Sequence, residues 1–143
     1  MQIAVLGAGM VGRAIAIDLA KDFDVTSFDL NPANLLELHK RNKAIKTLTV
    51  NLNQYEQFEQ WLAPFDLVVT AVPGFIGYQT LEAVIKAGKN VVDISFFPED
   101  ALQLDKLAKE KGVTVITDCG VAPGMSNLIL GRYNKEMEVT AFE

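Results

Sequence analysis

The sequence predicts an α/β fold, in which a doubly wound parallel sheet of six strands lies between two layers of helices in a three-layer α/β/α arrangement. Three observations support this prediction. Short runs rich in valine and isoleucine recur along the chain, segments with helical spacing separate them, and most of the runs lack polar alternation, as expected when helices cover both faces of a sheet. The predicted strands are 3–6, 25–28, 45–50, 67–72, 91–94 and 113–117.

Capping signals place the first helices between these strands. The segment 10–21 has apolar residues at helical spacing, with charged residues left for solvent. Asn31 followed by Pro32 suits a helix start, because asparagine caps free amides and proline fits the first helical position. Asn53, with Glu56 three residues later, resembles a capping box and predicts the start of the next helix.

The later helices have their own start and stop signals. Gly88 and Gly112 stand where two helices should end, each just before a predicted strand. Pro98, followed by two acidic residues, marks the start of the helix between them. A final helix is expected near 125–134.

Composition limits the classes of function. The 143 residues, of 15.7 kDa, fit one domain, and a net charge of -5 provides no broad positive surface for nucleic acid or anionic lipid. No apolar run is long enough to cross a membrane, and the single Cys119 cannot form an internal disulfide. We expect a cytoplasmic protein without a metal site.

A glycine-rich loop follows the first predicted strand and opens the first helix. Gly7 would allow the tight turn, Gly9 would let a diphosphate approach the backbone, and Gly12 would let helix and strand pack closely. The anion would then meet the free amides at the helix start. The alternative is a glycine turn that only packs a helix on a strand. The predicted loop residues are Gly7, Ala8, Gly9, Met10, Val11 and Gly12.

Asp29 ends the second strand, 20 residues after Gly9, where an acid is expected on the adenosine ribose of a dinucleotide. A carboxylate there can accept from both ribose hydroxyls and repels a 2′-phosphate. The segment that begins at Leu30 has no arginine through residue 35 to receive such a phosphate. The sequence therefore favours NAD over NADP as the cofactor. The alternative is a solvated aspartate before a helix.

Other candidates stand at the carboxyl ends of the remaining strands, the edge where ligands bind in such sheets. Asn51 could face the adenine, and Val72 with Pro73 would stiffen the loop beside the cofactor. The alternatives are a polar strand end at Asn51 and an ordinary strand-to-helix turn at Val72-Pro73. Asp93 is the best candidate for an acid or base. Gly120, in the segment 118–124, permits close backbone approach, and the helix after it could hold a substrate carboxylate on the amides of its first turn.

Four features of the sequence together resemble the dinucleotide domain of saccharopine dehydrogenases and the related lysine 6-dehydrogenases. They are Gly-Ala-Gly-Met-Val-Gly at 7–12, Asp29, Val72-Pro73 and especially Asp-Cys-Gly-Val-Ala-Pro-Gly at 118–124. The resemblance implies a Rossmann domain in an oxidoreductase that moves hydride between nicotinamide and an amine-bearing carbon of an amino acid. It also implies a second domain, which supplies most substrate contacts and a homodimer surface. We therefore expect a dinucleotide domain at 1–134, with 135–143 beginning a strand toward a substrate domain absent from this chain.

Two alternatives remain open at this point. A regulatory NAD-sensing module, like those attached to potassium transporters, would share the glycine loop and the ribose acid. A protein that keeps the fold only for association is less consistent with an intact glycine loop. Among proton-transfer candidates, Cys119 ranks below Asp93, and the single histidine, His39, is expected to face solvent far from the sheet edge.

Overall fold

A computed structural model describes residues 1–121 and 123–141. In chain order its strands and helices are β1 (Gln2–Leu6), α1 (Met10–Leu19), β2 (Asp24–Asp29), α2 (Pro32–Arg41), β3 (Lys46–Thr49), α3 (Phe58–Leu62), β4 (Leu67–Thr70), α4 (Gly74–Lys86), β5 (Asn90–Asp93), α5 (Asp105–Lys111), β6 (Val115–Ile116) and α6 (Met125–Tyr133). Short 3₁₀ turns precede α3 and α5. The predicted alternation of strand and helix is confirmed.

The strands form one parallel sheet in the order β3-β2-β1-β4-β5-β6. The chain starts at the centre, winds outward to β3, then returns to β4 on the other side of β1. This reversal leaves a gap above the carboxyl ends of β1 and β4, because the connections after these two strands run in opposite directions. The gap is where the fold admits a ligand.

Two hydrophobic cores lie on opposite faces of the sheet. Ile3 and Val5 of β1 pack into the core beneath α1 and α2, whereas Ala4 and Leu6 pack into the larger core beneath α3, α4 and α5. All four side chains are at most 1% exposed. Successive residues of one strand therefore serve opposite layers, which explains why β1 has no polar alternation. The predicted three-layer architecture is confirmed.

Most of the predicted helix boundaries are correct. The side chain of Asn31 accepts a hydrogen bond from the amide of Ala33 at 3.0 Å, with Pro32 at the first position of α2. Gly88 and Gly112 follow α4 and α5 at φ values of +70° and +66°, a left-handed conformation that glycine adopts without steric cost. The predicted capping box at Asn53 is wrong. A 3₁₀ turn without a side-chain cap precedes α3, because Asn51 instead accepts from the Asn53 amide and holds a local turn.

The C-terminal part is less compact than the sequence suggests. β6 is two residues long at the sheet edge, and α6 has no buried residue. Residues 138–141 form no strand, since no neighbouring strand pairs with them, and the rest of the predicted strand, Phe142 and Glu143, lies outside the described residues. In the described part of the chain, no helix is long and apolar enough to cross a membrane.

Candidate functional site

The three glycines of the loop between β1 and α1 differ in their structural roles. Gly7 has φ +101°, and its amide donates to the Phe28 carbonyl at 2.7 Å. A Cβ there would lie 2.4 Å from the backbone oxygen of Ala71, the residue that follows β4. A Cβ on Gly12 would lie 2.0 Å from the Gly7 carbonyl oxygen. A Cβ on Gly9 would meet nothing within 4 Å. Gly7 and Gly12 are therefore required by the fold, whereas Gly9 leaves an open approach to the backbone.

The start of α1 faces this open approach. Gly9 is the N-cap residue, and its carbonyl accepts the first helical bond from Arg13 at 2.9 Å. The amides of the first turn have no intrahelical acceptor, and they lie at the positive end of the helix dipole. Met10 and Val11 expose 83% and 57% of their surface. The loop therefore offers backbone donors to an anion that reaches it from solvent.

The carboxylate of Asp29 lies beside the loop and is partly exposed. Its Oδ2 accepts from the amide of Ala8 at 2.6 Å and from the side-chain amide of Asn34 at 3.4 Å, and its Oδ1 accepts from the amide of Asn31 at 2.7 Å. These contacts fix the carboxylate at the carboxyl end of β2. They also join the glycine loop to the start of α2.

A cavity of about 460 Å³ lies above the carboxyl ends of the central strands, a volume within the usual range for small-molecule and cofactor sites. The structure brings ten of the twelve predicted cofactor-binding residues to this cavity: Gly7, Gly9, Met10, Val11, Gly12, Asp29, Leu30, Asn51, Val72 and Pro73. Ala8 is buried behind the loop and reaches the site only through its bond to Asp29. Gly120 lies outside the lining.

Six lining residues were not identified from the sequence: Asn34, Leu52, Asn53, Ala71, Phe75 and Ile76. Asn34 had a usable signal, because a residue in the first turn of a helix that begins just after Asp29 must lie near that carboxylate. Phe75 and Ile76 open α4 directly after Pro73, so they too follow a strand end that the sequence singled out. Leu52 and Asn53 depend on how the chain turns after β3, for which the sequence carried no clear signal.

Asp93, the predicted acid or base, lies at the end of β5 but outside the cavity, with an exposure of 0%. Its Oδ1 accepts from the Thr70 hydroxyl, and its Oδ2 has no partner among the described residues. Burial raises the pKa of the Asp93 carboxyl, the hydrogen bond from the Thr70 hydroxyl opposes this rise, and the nearby Asp118 adds to it. In this structure the carboxyl has no access to a ligand.

The segment after β6 folds into a tight turn. Gly120 bridges to Gly124, and the amides of Met125 and Ser126 donate to carbonyls of the turn at 2.9 and 3.1 Å. In this structure the amides of Met125 and Ser126 already have acceptors and are not free to bind a ligand, so a substrate carboxylate at the start of α6 stays a prediction. Gly120 serves close packing within the turn, since a Cβ there would lie 3.1 Å from the Pro123 carbonyl oxygen.

The two weaker proton-transfer candidates are also away from the cavity. Burial, together with the charges of Asp93 and Asp118, raises the pKa of the Cys119 thiol, which disfavours the nucleophilic thiolate. His39 lies on the exposed face of α2, as expected. Asp29 is therefore the only titratable side chain among the described residues that line the cavity.

The residues present fit a dinucleotide. The open backbone at Gly9 and the free amides of α1 suit a diphosphate, while Asp29 lies beside them at the position of a ribose acceptor. A family model described as the saccharopine dehydrogenase NADP binding domain matches residues 3–116. The chain belongs to this family. A nicotinamide dinucleotide is thus the class of cofactor that both the family and the site support.

The chain is similar to known enzymes over most of its length. It is 25% identical over 129 residues to a saccharopine dehydrogenase (NADP⁺, L-glutamate-forming) of Pyricularia oryzae, covering 88% of this chain and 28% of that protein. It is 24% identical over 143 residues to the mitochondrial alpha-aminoadipic semialdehyde synthase of Bos taurus, covering 98% of this chain and 15% of that protein. The chain therefore spans less than a third of the length of these relatives.

A solved structure confirms the fold. The apo saccharopine dehydrogenase (L-Glu forming) of Saccharomyces cerevisiae superposes with a TM-score of 0.83 and 23% identity, over 94% of this chain and 31% of that one. The family resemblance is confirmed by the family match, which includes the glycine loop and Asp29 and ends at residue 116, before the 118–124 segment. The alternative of a potassium-transport sensing module gains no support from these comparisons.

Proposed function

We propose that this chain is the NAD-binding domain of a longer oxidoreductase that transfers hydride between a nicotinamide cofactor and an amine-bearing carbon of lysine, saccharopine or a related amino acid. The observation that carries the proposal is the joint placement of the glycine loop, the open backbone at Gly9 and the Asp29 carboxylate around one cavity. The names of the relatives supply the substrate class. When bound, the nicotinamide ring would donate or accept the hydride.

The roles of the chain's own residues follow from their positions. The first amides of α1 would bind the diphosphate, Asp29 would accept from the ribose, and Val72 with Pro73 would bound the cavity beside β4. Leu30 and Asn51 lie on the Asp29 side of the same cavity, which suits the adenine. Asp93 stays a candidate for proton transfer only as a prediction, because reaching a substrate requires its exposure.

We further propose that the domain prefers NAD to NADP, although the family description and the fungal relative both specify NADP. The described lining residues include no Lys, Arg or His, and they do include the Asp29 carboxylate. A 2′-phosphate beside that carboxylate would meet a like charge without a cationic partner. Asp29 therefore favours a free 2′-hydroxyl.

Fluorescence titration of the purified chain with NADH and NADPH tests both proposals. We expect NADH to bind at least about tenfold more tightly, a difference of about 1.4 kcal/mol. Equal or tighter binding of NADPH would contradict the preference for NAD. Failure of a folded protein to bind either cofactor would contradict the proposed function itself.

We also propose that residues 1–134 form the dinucleotide domain and that 135–143 lead toward a substrate domain. The relatives are more than three times as long as the region they share with this chain, and α6 exposes apolar side chains such as Leu128, at 75%, and Tyr133, at 46%. Further chain of the same enzyme, or its homodimer partner, would cover this surface. Sequencing the gene beyond codon 143 and measuring the oligomeric state of the complete product by light scattering tests this.

A further inference from the structure

The Asp29 carboxylate accepts more hydrogen bonds from the protein itself than a residue that only binds a ribose would need. A carboxylate offers about four acceptor positions on its two oxygens. Three are taken here, by the amides of Ala8 and Asn31 and by the side chain of Asn34. One position remains for a ribose hydroxyl, and a second becomes free only if Asn34 gives up its bond, which at 3.4 Å is the longest of the three.

The bond to Ala8 is the one with consequences for the loop. Ala8 lies between the two glycines that turn the chain, is 0% exposed, and has its amide 2.6 Å from Asp29 Oδ2. A buried amide without an acceptor is strongly disfavoured, and a hydrogen bond to a carboxylate is among the stronger kinds. The conformation of the glycine loop thus depends on a side chain 21 residues away in sequence.

We propose that Asp29 is a positioning residue for the glycine loop as well as the ribose acceptor, so that the diphosphate site and the ribose site form one unit. The bond from Ala8 holds the loop in the shape that exposes Gly9 and the amides of α1. The part that concerns ligand binding rests on the proposed function. It follows that replacing Asp29 to admit a 2′-phosphate also loosens the loop that binds the diphosphate.

The test uses two ligands with the same diphosphate, ADP and 2′,3′-dideoxyadenosine diphosphate, which lacks both ribose hydroxyls. Binding to the wild-type protein and to Asp29→Ala is measured by calorimetry. If Asp29 positions the loop, the substitution weakens binding of the dideoxy ligand about tenfold, although that ligand cannot contact Asp29 through a ribose hydroxyl. Removing a negative charge near a diphosphate acts in the opposite direction, so a loss cannot be electrostatic.

Asp24→Ala is the matched control, because it removes the same charge from the exposed amino end of the same strand. It should leave the affinities for both ligands unchanged. Unchanged or tighter binding of the dideoxy ligand to Asp29→Ala would overturn the inference. If the wild-type protein binds neither ligand, the proposed function fails, and the loop contact is then judged by the measurement below.

A measurement on the wild-type protein without ligand tests the contact itself and does not depend on how the variant folds. The scalar coupling across the hydrogen bond between the Ala8 amide nitrogen and the Asp29 carboxyl carbon is sought by NMR. The bond from the Gly7 amide to the Phe28 carbonyl, at 2.7 Å, is the internal positive control. A detected coupling supports the inference, and its absence when the control coupling is present overturns it.

Discussion

Two aspartates at strand ends show how burial separates residues that look alike in sequence. Asp29 and Asp93 are each the last residue of a strand, and both reach the carboxyl edge of the sheet. Asp29 ends a strand beside the gap above β1, so its carboxylate meets backbone amides and the cavity. Asp93 ends β5 with a fully buried side chain, and its carbonyl accepts from the amide of Cys119 at 3.1 Å. Only Asp29 is placed to contact a ligand.

The buried Asp93 predicts a pH dependence of stability. Because the folded protein raises the pKa of this carboxyl above its value in the unfolded chain, the protonated form favours folding. The stabilisation is complete below the unfolded pKa and is lost as pH rises through the folded pKa. The side chain in Asp93→Asn cannot titrate, so the wild-type protein should lose stability relative to this variant as pH rises. The range from about pH 4 to about pH 8 runs from the ordinary carboxyl pKa to just above neutrality.

Urea unfolding at several pH values measures this difference. Asp24→Asn, at an exposed site, controls for the loss of one charge. If the wild-type protein instead gains stability relative to Asp93→Asn as pH rises, the carboxyl is stabilised in its charged form and the argument from burial is wrong. A catalytic role of Asp93 is a separate prediction, which this experiment does not address.

In the loop between β1 and α1, glycine occurs three times for unrelated structural reasons. At Gly7 and Gly12 any larger residue would bring its Cβ into collision with a backbone oxygen, whereas a Cβ at Gly9 would meet open space. The sequence motif predicts the element correctly. It also predicts the turn at Gly7 and the close packing of helix and strand at Gly12, and the structure confirms both. The diphosphate contact at Gly9 stays a prediction.

Substitutions in this loop should therefore separate folding from binding. Gly9→Val puts a side chain where the diphosphate is proposed to lie without meeting the protein, so we expect at least about a tenfold loss of NADH affinity. Its cost in stability should be limited to about 1 kcal/mol, because valine is less favourable than glycine at the N-cap of α1. Gly12→Ala should instead destabilise the fold by more than about 2 kcal/mol, because its Cβ meets the backbone of Gly7.

Calorimetric melting and NADH titration of the two variants measure these effects. Gly131→Ala in α6 is the control, since a Cβ there meets nothing within 4 Å: it should leave NADH affinity unchanged and raise rather than lower stability, because alanine favours a helix over glycine. If Gly9→Val binds NADH as tightly as the wild-type protein, the diphosphate does not lie over this loop. Loss of folding in Gly9→Val would show that the open space at Gly9 is filled.

At the scale of the whole molecule, the described lining of the cavity offers a single candidate for proton transfer. Asp29 is the only titratable side chain in the described lining, and its position suits the ribose. Hydride transfer from an amine-bearing carbon needs a proton donor or acceptor near the reacting atoms. If Asp29 binds the ribose as proposed, we expect this group to come from outside the described lining, either from a residue such as Asp93 or from a further domain.

This predicts that the purified chain alone binds the cofactor but catalyses no reaction. With saccharopine or lysine and either NAD or NADP, the absorbance of the reduced nicotinamide should not rise above the rate without protein. The complete Saccharomyces cerevisiae saccharopine dehydrogenase serves as the positive control for the assay. Turnover by this chain would contradict the proposal that the catalytic site is shared with a further domain.

The sequence by itself determined the alternation of strands and helices, the glycine loop and the acid at position 29, because these depend on local preferences and on apolar patterns within single elements. It failed for the cap at Asn53, because the side chain of Asn51, two residues earlier, competes for the same amide in a local turn. Only the tertiary structure decided that Asp93 is buried, that the first two amides of α6 are already bonded, and that the Ala8 amide donates to Asp29. Each of these depends on segments that are distant in the chain or on a turn whose shape the packing sets, and local pattern does not encode such contacts.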